Sequence, residues 1–133
     1  MNCDTMGLGV VKPRRGVFAL VADMTTATQI VKCAARLHAG VKNFDSAEKL
    51  VAKAVVERPF LIILDLEKLE AETFRVLNEL HKSADLKSIP AVGFVTQAKG
   101  MVKPEAEKAG CSRVYMKTEF GRELPDLIAR YAV

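Results

Sequence analysis

Phe60-Leu61-Ile62-Ile63-Leu64-Asp65 is the stretch on which the reading of the fold turns. Five bulky apolar residues run without a polar one between them, which suits a strand covered on both faces and not a strand with one wet side. Pro59 keeps the preceding helix from running into it, and Asp65 closes it with a charge. Outward from this stretch, Val17–Ala22 is a second continuous apolar run, ending at Asp23. Ala91–Val95, introduced by Pro90 and closed by Thr96, is a third, and Arg113–Met116, closed by Lys117, is a fourth. Val41–Phe44 is shorter and less apolar, as befits a sheet edge.

Between these runs the apolar period changes to that of a helix. Ile30, Ala34 and Leu37 predict a helix over Thr25–Ala39, with Gly40 as its cap. Asp45 and Glu48 resemble a capping box that opens a helix over Ala47–Arg58, its apolar face made by Leu50, Val51, Ala54 and Val55. Phe74, Leu77 and Leu80 mark a helix over Glu72–Lys82. A short helix follows the fourth strand, with Pro104 in its first turn and Gly110 past its end. A last helix is expected from about Glu123 to Tyr131, with Pro125 in its first turn. Five strands alternating with five helices predict parallel crossovers and a three-layer α/β/α sandwich with helices on both faces.

The chain has 133 residues, enough for one core, and half of them are hydrophobic against 27% charged, so disorder is excluded. Residues 1–15 lack periodicity and read as an N-terminal arm; residues 16–133 read as the domain. The net charge is +4, and Lys12, Arg14 and Arg15 against Asp4 put half of that excess in the leading segment. With 6% aromatics and no Trp, this is neither a stacking surface nor a clustered basic stripe, which argues against nucleic acid as a partner. Cys3, Cys33 and Cys111 are far apart and show neither zinc-ligand nor disulfide spacing. No apolar run approaches the ~20 residues of a membrane span, and no export signal is read at the start, so the expected setting is the cytoplasm, with reduced thiols. Walker, dinucleotide and hydrolase-elbow motifs are missing, and His38 and His81 read as solvated helix residues.

In open α/β sheets the chemistry gathers beyond the C-terminal ends of the strands, where strand order reverses. For the order 2-1-3-4-5, Asp23, Asp65, Thr96 and Lys117 close strands 1, 3, 4 and 5 and converge there. Two carboxylates suit Mg²⁺, which takes oxygen ligands and keeps several waters. A hydroxyl and an ammonium suit the oxygens of a transferred phosphoryl group. Met24-Thr25-Thr26-Ala27-Thr28 is faintly like a flavodoxin phosphate loop, which keeps a flavin-binding protein as a remote alternative; a plain helix cap is the simpler reading.

From about Val17 to Tyr131 the sequence resembles the receiver domain of two-component response regulators, in its compact chemotaxis-type form with a flavodoxin-like fold. The segments that carry the likeness are FALVADMTT (18–26), FLIILDLE (60–67), IPAVGFVT (89–96) and AEKAGCSRVYMKTEF (106–120). The resemblance implies that Asp65 is the phosphoacceptor and that Thr96 and Lys117 contact the phosphoryl group. It further implies that Asp23, Asp65 and the Glu67 backbone carbonyl hold Mg²⁺. A histidine kinase or phosphotransfer protein would be the donor, and a downstream protein the target. The partner face would comprise Lys99, Lys103, Lys108 and Tyr115, and the protein would act as a stand-alone signalling switch, not an enzyme, with no output domain expected after Val133.

The sequence departs from the family pattern at four places. Ala22 stands where a second acid is usual, and the run Lys68–Thr73 replaces a Met-Pro pair and an acid-Gly pair. Gln97 follows the hydroxyl where a small residue is usual, and Thr118 follows the lysine where proline is usual. Two unit charges at 4 Å interact by about 4 kcal/mol at an effective dielectric of roughly 20, so a missing carboxylate predicts weak Mg²⁺ binding unless Glu67 or Glu70 substitutes. The alternative reading is a phosphorylation-incompetent pseudo-receiver that works as a fixed adaptor.

Overall fold

The computed structural model describes residues 16–96 and 101–132; the expected arm over 1–15, and Gln97 and Lys99, lie outside them. The strands are β1 (Val17–Leu20), β2 (Val41–Asn43), β3 (Leu61–Asp65), β4 (Ala91–Val95) and β5 (Arg113–Met116). They alternate with α1 (Met24–Ala35), α2 (Ala47–Glu57), α3 (Glu70–Lys82), α4 (Val102–Ala109) and α5 (Lys117–Ala132). All neighbours are parallel, in the order β2-β1-β3-β4-β5. This is the three-layer arrangement that the apolar runs predicted.

Strand alternation sorts the core into two. Phe18, Leu20, Ile62, Leu64, Val95 and Val114 point into one layer, where Leu50 and Ala54 of α2, Val76, Leu77 and Leu80 of α3 and Ala106 of α4 meet them. Val17, Ala19, Ile63, Phe94 and Tyr115 point into the other, against Ile30 and Ala34 of α1 and Phe120, Leu124, Leu127 and Ile128 of α5. Every residue of β3 is therefore buried whichever way it points, and each such Leu or Ile contributes about 1.5–3 kcal/mol. Gly16 marks a close approach between two backbone segments: a Cβ there would lie 2.6 Å from the Gly40 carbonyl oxygen.

Several boundaries differ from expectation, each for a local reason. β1 stops at Leu20, before Ala22, because the Asn43 side chain takes over the pairing: Val21 N–H donates to Asn43 Oδ1 at 3.1 Å and Asn43 Nδ2 donates to the Val21 carbonyl at 3.0 Å. α1 ends short of Ala39 in a Schellman-type turn, in which Ala39 N–H donates to Ala34 O and His38 N–H to Ala35 O. His38, not Gly40, takes the left-handed conformation, at φ 58°. α2 is capped by the Ser46 hydroxyl, which accepts from Lys49 N–H, while the expected cap Asp45 pairs with the Lys49 ammonium.

α5 is the largest correction. It starts at Lys117, not near Glu123, and Pro125 sits inside it. Proline removes one N–H and crowds the carbonyl four residues back. Here that residue is Gly121, and both positions are on the exposed side of α5, where water can serve the carbonyl. Glu119 reaches back to accept from Met116 N–H at 3.1 Å, which starts the helix directly off β5. No described helix is long and apolar enough to cross a membrane.

Candidate functional site

The order of strands reverses between β1 and β3, since β1 continues outward to β2 and the chain returns on the other side. Asp65, the last residue of β3, lies at this point and is fully buried. A buried carboxylate needs compensating donors. Its Oδ1 accepts from Glu67 N–H and Lys68 N–H, both at 2.9 Å, and its Oδ2 accepts from Ala22 N–H at 3.2 Å. The Asp65 carbonyl is held as well, by Leu69 N–H and by the buried Thr73 hydroxyl. Ala22, where the resemblance led one to expect an acid, thus contributes a backbone donor.

Asp23 ends the β1–α1 connection and caps α1. Its Oδ1 accepts from Thr25 N–H at 3.2 Å, and its Oδ2 accepts from the Thr26 hydroxyl at 2.6 Å. The threonine run is accordingly the first turn of α1. The Lys117 ammonium lies 2.8 Å from Asp23 Oδ2. That bond, with the Thr26 hydroxyl second, pushes the Asp23 carboxyl down to about 2. Lys117 is pushed up in turn, first by its bond to Asp23 and further by the charges of Asp65 and Glu67. One ammonium therefore lies within the field of three carboxylates.

Thr96 follows β4. Its hydroxyl and its N–H both donate to one oxygen, Oε1 of Glu67, at 2.5 and 3.1 Å. All four strand-end residues picked out in the sequence thus share one neighbourhood, but through partners that the residue types did not reveal. Glu67 was expected to offer its carbonyl; its carboxylate is what reaches Thr96. A glutamate two residues past a strand-ending aspartate was the available signal. An open cleft of about 510 Å³ lies between the N-terminal turns of α1 and α5, lined by Asp23, Thr26, Gln29, Lys117 and Arg122. Asp65 is not among its walls.

Asp23, Asp65 and the Glu67 carbonyl, the ligands that the resemblance implies, would make an oxygen donor set of the kind Mg²⁺ accepts. It is lean: among the described residues, no three acidic, His or Cys side chains gather as metal ligands. Lys117 already supplies a positive charge to Asp23.

The expected partner face needs one correction. Lys103 and Lys108 lie on α4. Tyr115, however, is 2% exposed and packs with Phe120 in the α1/α5 layer, on the opposite side of the sheet from α4. The period of two along β5 sends Val114 toward α4 and Tyr115 away from it. The Arg113 guanidinium stacks over its ring at 4.5 Å. Cys111 is buried and its thiol is pushed up to about 12, chiefly by that burial and then by Glu107.

No family model matches the sequence, and no curated protein matches it. Solved structures do match. The response regulator from Hahella chejuensis superposes with a TM-score of 0.76 at 19% identity, over 88% of this chain and 94% of that one. The chemotaxis response regulator CheY4 of Vibrio cholerae gives a TM-score of 0.74 at 17% identity, over 90% and 99% of the two chains. A response regulator solved in its Mn²⁺-bound form gives 0.67 at 15% identity, over 89% and 94%. Together with the strand order, these likenesses show that the chain has the response-regulator receiver fold.

Proposed function

We propose that the chain is a receiver-type signalling module of the two-component kind, with Asp65 as its phosphoacceptor, acting through protein contacts and not through turnover of a metabolite. The observation that carries this is Asp65 itself. It is a carboxylate held by three backbone N–H groups at the reversal point of the sheet, with Thr96 at the end of the adjacent strand and the Lys117 ammonium within its field.

In this reading an Asp65 oxygen attacks the phosphorus of a histidine-bound phosphoryl group. A P–O bond forms, the P–N bond breaks, and the electron pair leaves with the imidazole. Mg²⁺, held by Asp23, Asp65 and the Glu67 carbonyl, would shield the charge on the transferring oxygens. Thr96 donates its hydroxyl hydrogen, and Lys117 its ammonium, to the oxygens that arrive. The charge gained at Asp65 draws both residues away from Glu67 and Asp23, and β4 and β5 carry that shift toward α4, where Lys103 and Lys108 form the face for a target protein.

A second reading, a fixed adaptor without phosphorylation, is favoured by one observation: Thr96 and Lys117 are already bonded to carboxylates of the chain itself. Incubation with acetyl phosphate and Mg²⁺ followed by intact-mass measurement separates the two. The expected result is one phosphoryl group per chain, absent in Asp65→Asn; an unmodified wild-type mass favours the adaptor.

A further inference from the structure

Both donors of Thr96, its hydroxyl and its amide, converge on a single carboxylate oxygen of Glu67. That is the pattern of donors an anionic phosphoryl oxygen would meet on arrival, and a negatively charged acceptor draws such donors more strongly than a neutral one. Glu67 lies two residues beyond Asp65, and its own N–H donates to Asp65 Oδ1, so the segment that binds the acceptor also carries the competing anion. Asp65 meanwhile has no exposed surface. The Lys117 ammonium is bonded to Asp23 and lies in the field of Asp65 and Glu67, so it too is engaged by carboxylates of the chain.

We propose that the Glu67 carboxylate is a latch: it occupies the place of a phosphoryl oxygen at Thr96, closes the site over Asp65, and sets how readily the acceptor is reached. The inference rests on the phosphoacceptor reading above. Phosphorylation of Asp65 then requires Thr96 to exchange one anion for another, Glu67 swinging out as the phosphoryl oxygen comes in. Glu67 is a positioning residue here, since it acts through Thr96 and takes no part in bond making.

The experiment compares wild type, Glu67→Ala and Glu67→Gln with acetyl phosphate, at Mg²⁺ concentrations saturating for each protein, so that rate reports access. Losing a charge-assisted pair of hydrogen bonds predicts a rise of about tenfold in the rate of Asp65 modification for Glu67→Ala. Glu67→Gln, which keeps an acceptor oxygen without the charge, is expected to fall between the two. Amide hydrogen exchange at Thr96 supplies a readout independent of phosphorylation: it accelerates in Glu67→Ala while core amides of β3 stay protected. Equal modification rates in wild type and Glu67→Ala, or unchanged exchange at Thr96, overturn the latch and leave the phosphoacceptor standing. No phosphoryl group on any of the three proteins overturns the phosphoacceptor reading, and the latch with it.

Discussion

Lys117 Nζ lies 2.8 Å from Asp23 Oδ2, so the first residue of α5 is tied to the residue that caps α1. This bond joins the first and last helices of one layer across the ends of β1 and β5. It also means that the ammonium expected to receive a phosphoryl group is already engaged. The departure at Thr118 fits this arrangement, because α5 starts at Lys117 and runs through Thr118 without a loop between strand and helix.

The pair makes a testable contribution to stability. Asp23 is held at about 2, below its ordinary 3.8, so its contribution is complete above pH ~4 and is lost as pH falls from there toward 2. Lys117 is pushed up, so its contribution is complete below its ordinary value of 10.5 and is lost only as pH rises through the higher folded value. The side chains are 21% and 36% exposed, so solvent screening brings the worth of the pair to about 1 kcal/mol. Urea unfolding should show Asp23→Asn less stable than wild type by that amount from pH 5 to 9, with the gap closing below pH 4. In Lys117→Met, NMR titration should find the Asp23 midpoint raised toward the ordinary value; a midpoint still near 2 would contradict the account.

His38 offers the opposite kind of test. It holds the left-handed position of the turn after α1, at φ 58°, where a side chain with a Cβ is strained by about 1–2 kcal/mol. His38 is exposed, so replacing it removes no core contact. His38→Gly should therefore stabilise the domain by about 0.5–1 kcal/mol, after the entropy glycine adds to the unfolded chain. A fall in the urea midpoint would mean that the imidazole contributes more than its geometry suggests.

Gly16 should be intolerant in the same assay. A Cβ there would meet the Gly40 carbonyl oxygen at 2.6 Å, and that oxygen accepts from Val17 N–H to anchor the start of β1 on the turn before β2. Backbone on both sides leaves no flexible side-chain end to yield. Gly16→Ala is expected to lose about 2–3 kcal/mol, as overpacking does. A loss within 0.5 kcal/mol, the usual surface range, would count against the close approach.

The sequence was most informative where physics leaves one solution. A run such as Leu61-Ile62-Ile63-Leu64, too short for a helix and bounded by Pro59 and Asp65, suits a strand covered on both faces, and alternation with helical segments then gives a parallel sheet. Strand-end residues were readable for the same reason, since a buried strand must turn polar where it leaves the core. What pairs with what was less readable. Asn43 bonding Val21 and Glu67 bonding Thr96 depend on side-chain reach across 22 and 29 residues, which periodicity does not encode. The start of α5 was missed because Pro125 reads as a first-turn residue, whereas Gly121 four positions before it, on the exposed side, makes an interior proline tolerable. The resemblance groups Tyr115 with the lysines of α4, while its parity along β5 puts it in the opposite layer.

The donor set also fixes what divalent cations should do. Ala22 offers an N–H where a further carboxylate would bind metal, and Asp23 Oδ2 already carries an ammonium and a hydroxyl. If Asp23 helps to hold Mg²⁺ as proposed, the ion competes with Lys117 for it, and its affinity should be millimolar or weaker, about 4 kcal/mol of binding free energy at 1 mM. The competition has a consequence that simple loss of a site residue would not have. In Lys117→Met the Asp23 carboxylate is released, and Mg²⁺ should bind more tightly than in wild type, by up to about fivefold if the pair is worth ~1 kcal/mol. Asp23→Asn should weaken binding instead. Following the amide shifts of Ala22 and Glu67 during Mg²⁺ titration reads both effects at the site itself. Micromolar affinity in wild type would mean that Glu67 or Glu70 turns its carboxylate onto the metal. Unchanged or weaker affinity in Lys117→Met would mean that Lys117 and the metal do not share Asp23.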